Sequence, residues 1–512
     1  MCDTRSIDRP CHVLQGPSTD ELVAHVRVVA EAFAGALAEA LSPLLVERTA
    51  EALLHAEQAV QRLVALAADH VVGGAVAWLH EDRGWTAEQA VAARRTDPRG
   101  LRHRGARETV VRFVGGAQLR FTTPYLSTDR EGDPGPRRRV GRHGREGGGC
   151  HPVLESLGIF DEASPAFASH VACEAVRCGS FEEAAQVLRE RGVAIDAKAV
   201  RTLALSVGNE GLRQRDERKA AAGRGAVFSD EFAGKRIVVS ADGGRLRTRQ
   251  GGKRGRKGKR GRRRYRTPWR EPRLVSVYVI DDQGRKVRCL PPLYDGTLGN
   301  PDAVFGILIA ELLLRGAAKA KQIIVAGDGA PWIWNRVHLL ATALHVEPER
   351  IVRVADFYHA VEHLSAIAQL RSAWTEPQQR DWVRTMRRRL KKGKVDAVID
   401  SARRLCRGRN ASAIATEVAY FQDRRDFMRY DHFQQQRIPL GSGAMESAVR
   451  RVVNLRLKGP GIFWREPSAE AMLHLRAYLK ASRWDELVAR VLNRSPDGRR
   501  KAPQPLPQAV AA

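Results

Sequence analysis

Residues 235–244 read KRIVVSADGG, and residues 321–334 read KQIIVAGDGAPWIW. Each is a short run of Val and Ile that ends in an aspartate followed by glycine, Asp242 in the first and Asp328 in the second. Short β-branched runs closed by turn residues read as buried strands. Functional groups in α/β sheets collect at such strand ends. A glycine beside the acid lets a phosphate or a cation approach the backbone closely. A lone Asp-Gly is ordinarily a turn, but two at corresponding places in one domain point to a shared site.

Working outward, REPRLVSVYVID (270–281) and KVRCLPPLYD (286–295) read as two further strands, and PDAVFGILIAELLLRGA (301–317) as a helix. APWIWNRVHLLATAL (330–344) continues as a helix, ERIVRVADF (349–357) as a strand and HAVEHLSAIAQLR (359–371) as a helix. The order is β-β-β-α-β-α-β-α. A three-stranded meander followed by β-α crossovers is the layout of an RNase H-like domain, a mixed sheet covered by helices. Residues 376–435, with segments such as QQRDWVRTMRRRLKKGK, interrupt the pattern as a charged helical insertion. The catalytic domain is thus expected over 231–375 and 436–490, with a disordered tail at 491–512.

Upstream the pattern is helical. Residues 18–105 carry apolar side chains at three-to-four spacing, as in VRVVAEAFAGALAEAL (26–41), with Ser18 and Glu21 placed for a capping box. They read as a packed helical bundle that could also serve oligomerisation. ETVVRFVGGAQLRFTTPYL (108–126) reads as a hairpin turning at Gly115-Gly116, leading into a basic linker that completes a segment 106–149. Residues 150–230 are helical again. Within them SFEEAAQVLRERGVAIDAKAVRTLALSVG (180–208) gives two helices capped by Ser180 and Asp196, with a turn at Gly192. That is either a helix-turn-helix presenting Lys198 and Arg201 to DNA or an ordinary helical hairpin. The expected whole is multidomain, α and α/β, with N-terminal helical domains ahead of an RNase H-like mixed-sheet domain that carries a helical insertion.

The chain has 512 residues, 86 of them Lys or Arg against 58 Asp or Glu, a net charge of +28. That excess favours a polyanionic partner, most simply double-stranded DNA. Seven dispersed cysteines without a C-x-x-C pair point to free thiols in a reducing compartment and exclude a zinc ribbon. No basic segment precedes an apolar run at the N-terminus, so no signal peptide is expected. Glu31, Glu39, Glu47, Arg48, Glu51, Glu57 and Arg62 break the apolar stretch 22–79, so no membrane span is expected either. The expected location is cytoplasmic and nucleoid-associated.

A third acid sharpens the chemistry. GSGAMESAVRRVVNLRLKG (441–459) reads as a helix capped by Ser442, with Glu446 in its first turn. Arg450, Asn454 and Lys458 follow at four-residue spacing, either as a phosphate-binding face or as a solvated face with a Glu446–Arg450 ion pair. Three carboxylates suit two Mg2+ ions, with Mn2+ as a substitute, about 3.5–4 Å apart. The segment 245–270, RLRTRQGGKRGRKGKRGRRRYRTPWR, offers Lys253, Arg254, Arg256, Lys257, Arg262 and Arg263 to phosphates. Trp332, Trp334 and Trp464 lie near the second and third acids, as core residues or as stacking partners for a displaced base. Asp356 ends a strand, and His359 opens the next helix, placed to orient a carboxylate or protonate a leaving oxygen. His359, Glu362 and His363 also spell H-x-x-E-H, a zinc-peptidase pattern that leaves the basicity unexplained.

Together SADGGRLRTR, GKRGRKGKRGRRR, GDGAPWIW, DFYHAVEHL and GSGAMESAVRRVVNLRLKG, in that order over residues 150–490, resemble insertion-sequence transposases of the ISKra group. These are DDE-type enzymes related to the Mutator-like superfamily. The resemblance implies a catalytic triad of Asp242, Asp328 and Glu446, and a C/D-x-x-H signature at Asp356 and His359. It also implies a helical insertion before the last acid. Relatives often carry cysteines after the P-Y hairpin, where this chain keeps only Cys150. The implied activity is cleavage at terminal inverted repeats and joining to target DNA, by a homodimer or higher oligomer. Alternatives are a structure-specific nuclease without strand transfer and a DNA-binding regulator with an inactive site.

Overall fold

Three helices open the described chain in the computed structural model: α1 (Thr19–Glu47), α2 (Ala50–Leu79) and α3 (Arg83–Thr96). The description covers residues 19–96, 100–127, 149–251 and 265–492. Ser18, nearly all of the basic linker, the tail beyond 492, and Lys253, Arg254, Arg256, Lys257, Arg262 and Arg263 lie outside it. The described residues form two compact units that meet between Val207 and Gly208, with residues from Val488 onward grouped with the first.

In the first unit, Thr49 starts α2 by accepting the Ala52 N–H at 3.1 Å. Strands β1 (Arg102–Arg112) and β2 (Gln118–Ser127) pair antiparallel around the Gly115-Gly116 turn. Asp69 of α2, only 3% exposed, accepts the N–H groups of Gly115 and Ala117 at 3.0 Å each. The buried carboxylate therefore has partners that fix the turn on the helix. Val111, Phe113 and Phe121 then pack with Leu154 and Ile159. Helices α4 (Pro152–Ser156), α5 (Pro165–Arg177), α6 (Phe181–Glu190) and α7 (Ala197–Gly223) follow. Ser180 and Asp196 accept N–H groups at the starts of α6 and α7, as their types require. The division between the units falls within α7, upstream of the 230/231 boundary expected from sequence. By length and composition α1 and α2 are long and apolar enough to cross a membrane, yet they contain Glu31, Glu39, Glu57, Arg62 and Asp69.

The second unit is built on a five-stranded mixed sheet. Its elements are β3 (Arg236–Gly243), the two-residue strands β4 (Leu246–Arg247), β5 (Gln250–Gly251), β6 (Tyr265–Arg266) and β7 (Trp269–Arg270), then β8 (Arg273–Ile280) and β9 (Leu293–Thr297). After α8 (Pro301–Leu314) come β10 (Gln322–Gly327), α9 (Pro331–Trp334), α10 (Val337–Leu344), β11 (Ile351–Ala355) and α11 (Phe357–Gln369). The sheet order is β11-β10-β3-β8-β9. Neighbours β3, β8 and β9 are antiparallel, whereas β10 and β11 run parallel to β3. The strand expected over 286–295 is confined to its last part, because Pro291 and Pro292 cannot donate to a ladder.

Alternation along the strands sends side chains to two cores. Ile237, Val239, Ile323 and Val325 pack with α8 and α10. Val238, Ile324, Ala326 and Val354 pack on the other face with α11 and with α12 (Glu376–Lys391), α13 (Val395–Arg403), α14 (Ala411–Asp423) and α15 (Tyr430–Gln435). The charged segment 376–435 therefore supplies one of the two helical layers, its apolar residues Met386, Leu390, Val398 and Ile414 sharing the sheet's core. Helices α16 (Gly443–Val449), α17 (Glu466–Lys480) and α18 (Trp484–Leu492) complete the described chain.

Candidate active site

Strand register brings the acids together. Ala326 of β10 pairs with Ser240 of β3, so Asp328 and Asp242, each two residues on, stand at the same level. Gly327 pairs with Ala355 of β11, which sets Asp356 beside Asp328. Three adjacent parallel strands thus end in three aspartates, with neighbouring strands about 4.8 Å apart. All three share the parity of Val238, Ile324 and Val354, so they fall on the face covered by α11–α15. Glu446 reaches the same place from α16. A pocket of about 150 Å³ is lined by Asp242, Asp328, Asp356, His359, Glu362, Ser442 and Glu446.

The electrostatics reflect this crowding. Burial pushes the Asp242 carboxyl up to about 6. The Gly243 N–H, 2.6 Å from its Oδ1, opposes that rise, while the charges of Asp328, Glu446 and Glu271 reinforce it. Asp328 accepts the Ala330 N–H at 3.0 Å. The exposed Glu446 carboxylate has no hydrogen-bond or ion-pair partner among the described residues. Among those residues, too, no three His, Cys, Asp or Glu side chains stand close enough to hold a metal ion.

Ser442 stands at the N-cap position of α16, as expected, but its side chain makes no capping bond. Its N–H and its hydroxyl both donate to Asp356 Oδ2, each at 2.5 Å. The other oxygen of Asp356 accepts the N–H groups of Tyr358 and His359, at 2.7 and 3.1 Å, and caps α11. One buried carboxylate therefore fastens the start of α11 to the start of α16, the helix that carries Glu446, and the Phe357 N–H adds a bond to the Leu440 carbonyl at 2.9 Å. The stripe expected through Arg450, Asn454 and Lys458 does not form. The α-helix gives way to a π-helical turn at Arg450–Asn454, which changes the angular step per residue, and Lys458 lies beyond it.

His359 lines the pocket and pairs through Nδ1 with Glu362 at 3.0 Å. His363 turns the other way, its Nδ1 2.5 Å from Glu417 and its ring stacked on Tyr420 at 3.7 Å. Trp464 is buried, its Nε1 donating to the Leu457 carbonyl. Trp332 packs edge-on to Phe305 and Trp334 stacks on Phe427, so all three tryptophans serve the core. In the first unit, Lys198 is exposed and lines a separate hollow with Arg112, Asp161 and Asp196; Arg201 is exposed one turn on.

Sequence reasoning missed Tyr420 and Arg424. The Tyr420 hydroxyl donates to the Asp328 carbonyl at 3.3 Å, and Arg424 donates from Nε and Nη2 to the Gly329 carbonyl. The Arg424 guanidinium also lies 4.6 Å from the centre of the Tyr420 ring. Gly329 has φ +101°, and a Cβ there would meet Arg424 Nε at 2.5 Å. The Asp-Gly turn thus needs glycine both for its conformation and for this close approach. Comparison with family models, with characterised proteins and with solved structures returns no match to this chain.

Proposed function

We propose that this protein is a DDE-type DNA transposase of the ISKra kind, cleaving the ends of a DNA element and joining them to target DNA. The observation that carries the reading is the convergence of Asp242, Asp328 and Glu446, from three separate elements, on one pocket in a chain of net charge +28. The sheet supports the RNase H-like assignment: a β3-β8-β9 meander is extended by β10 and β11, both parallel to β3.

The donor set is all oxygen, the chemistry that Mg2+ and Mn2+ prefer. Burial, with the acidic neighbours, raises the Asp242 carboxyl, a cost that a bound cation would relieve. Asp242, Asp328 and Glu446, which line one pocket, would hold the ions. Bound magnesium supplies activation of water or a 3′-hydroxyl and charge stabilisation on the leaving oxygen. The chain's own groups do the rest. The Gly243 and Ala330 N–H groups orient Asp242 and Asp328. Asp356 fixes the start of the helix that carries Glu446, and His359 stands at the pocket wall to move a proton. Lys198 and Arg201, with the basic segment 253–263, would hold DNA phosphates. The N-terminal helices would pair protomers.

The test is cleavage of end-labelled element DNA with magnesium, followed by joining to a plasmid. Asp242→Asn, Asp328→Asn and Glu446→Gln should each lower cleavage by at least about 10³-fold while DNA binding stays within about threefold, since each removes an oxygen ligand from the reacting centre. Retained cutting by any one removes that residue from the site. Cutting without joining leaves a nuclease.

A further inference from the structure

We infer that the β-ribbon extending from Asp242 carries a stacking platform for unpaired DNA bases, formed by Tyr265 and Trp269 with Arg247 and Arg249; this rests on the proposed function and names the part of the DNA held there. The β3–β8 ladder does not stop at the sheet. Asp242 pairs with Leu274 and Gly243 with Arg273, and the Gly244 N–H then donates to the Pro272 carbonyl at 2.8 Å. The same register continues through Leu246 with Arg270, Arg247 with Trp269, Gln250 with Arg266 and Gly251 with Tyr265.

Alternation divides this ribbon into two faces. Leu246 and Thr248 point inward, both 0% exposed, and the ribbon edge bonds to the chain at Trp464, with the Arg249 N–H 2.6 Å from its carbonyl. Arg247, Arg249, Tyr265 and Trp269 share the opposite face. There Trp269 is 50% and Tyr265 42% exposed. An amphipathic ribbon ordinarily turns its aromatic rings toward the core. This one gives its inner face to Leu and Thr and leaves Trp269 and Tyr265 half exposed, Tyr265 with an edge contact to Phe463 at 6.1 Å.

Each ring carries a guanidinium. The Arg247 carbon lies 4.7 Å from the centre of Trp269, and that of Arg249 lies 4.0 Å from the centre of Tyr265. Planar cations beside aromatic faces are the two ingredients of a sequence-tolerant site for single-stranded nucleic acid: bases stack and phosphates pair. Duplex DNA hides its base faces, so the rings discriminate in favour of unpaired bases. Trp269 stands opposite Arg247, five residues beyond Asp242, or about 17 Å at ~3.4 Å per residue. That places the platform a few nucleotides from the proposed reacting phosphate, where strand opening beside a nick exposes bases.

The experiment measures binding of the full chain to a labelled single strand of about 20 nucleotides and to the blunt duplex of the same sequence, by fluorescence anisotropy. Wild type is compared with the pair Tyr265→Ala/Trp269→Ala and with the ring-preserving pair Tyr265→Phe/Trp269→Phe. The alanine pair should weaken single-strand binding at least about tenfold and duplex binding by less than about threefold, with the phenylalanine pair close to wild type. Equal loss on both DNAs, no loss, a phenylalanine pair as weak as the alanine pair, or a wild type that does not bind the single strand would overturn the platform. A protein that shows the ring-dependent preference but never cuts with magnesium sinks the transposase reading and leaves the platform standing. One that cuts without ring dependence does the reverse.

Discussion

Two aspartates in the second unit show how neighbours set opposite signs on the same side chain. Asp242 is raised to about 6 from 3.8 by burial, with Asp328 and Glu446 adding to it. The folded state therefore binds its proton more tightly than the unfolded chain, and stability falls as pH rises from about 4 through 6. In magnesium-free buffer Asp242→Asn should stabilise the protein at pH 8 by about 1–2 kcal/mol, after allowance for partial exposure, and should bring no gain near pH 4. Thermal melts across that range in chelator read this directly; a destabilised variant at pH 8 would show that the carboxylate is satisfied by the fold alone. Asp295 behaves inversely. Burial alone would raise it, but His474, 3.2 Å away, and Arg215, 3.3 Å away, hold it at about 2. Its contribution is full above about 4 and disappears as pH falls toward 2, and it amounts to about 2 kcal/mol. Asp295→Asn should remove that acid-limb dependence in denaturant melts between pH 5 and 2.

Elements explain why some site residues were legible and others were not. Asp242 and Asp328 sit at strand ends marked by β-branched runs and glycine, a local signature that survives without any tertiary knowledge. Tyr420 lies 92 residues from the carbonyl it holds, within a segment whose sequence reads only as a charged amphipathic helix. Nothing local marks such a contact. Its role can be tested because Tyr420 and Arg424 bind backbone carbonyls and leave the Asp328 carboxylate to the pocket. Tyr420→Phe removes one neutral hydrogen bond and should lower cleavage severalfold, and Arg424→Ala should lower it about 10–100-fold, since it frees a turn that must hold its geometry. Magnesium affinity should weaken in parallel, which loss of fold alone, checked by circular dichroism, would not mimic at unchanged melting temperature. The π-helical turn after α16 was equally unreadable. It changes the spacing of intrahelical bonds, and the buried Arg476 answers it, donating to the carbonyls of Val452 and Arg451. Arg476→Met should cost about 2–4 kcal/mol in denaturant melts by leaving those carbonyls unpaired.

On the scale of the whole chain, charge is divided as sharply as structure. Residues 19–79, covering α1 and α2, hold eight carboxylates and three arginines, a net of −5 within a chain of +28, which leaves +33 elsewhere. The same helices expose Leu45 and Val46, at 72% and 78%. An acidic, apolar surface repels phosphate, so the proposed DNA binding would fall to the rest of the chain. The overall excess was plain from composition; the acidic hairpin shows only when charges are counted element by element. Salt titration separates the two. A protein neutralising about six to ten phosphates loses roughly 10³–10⁵ in affinity between about 50 and 200 mM salt, a log–log slope near −0.9 per contact. Replacing Lys253, Arg254, Arg256 and Lys257 by Gln should flatten that slope by up to about 3.6, that is ~0.9 for each lost contact. Replacing Glu31, Glu39 and Glu57 by Gln should leave the slope unchanged, because an acidic surface makes no phosphate contacts to lose. A slope that shifts with the glutamates instead would put the hairpin on the DNA, and the division of labour between acidic helices and basic body would have to be redrawn.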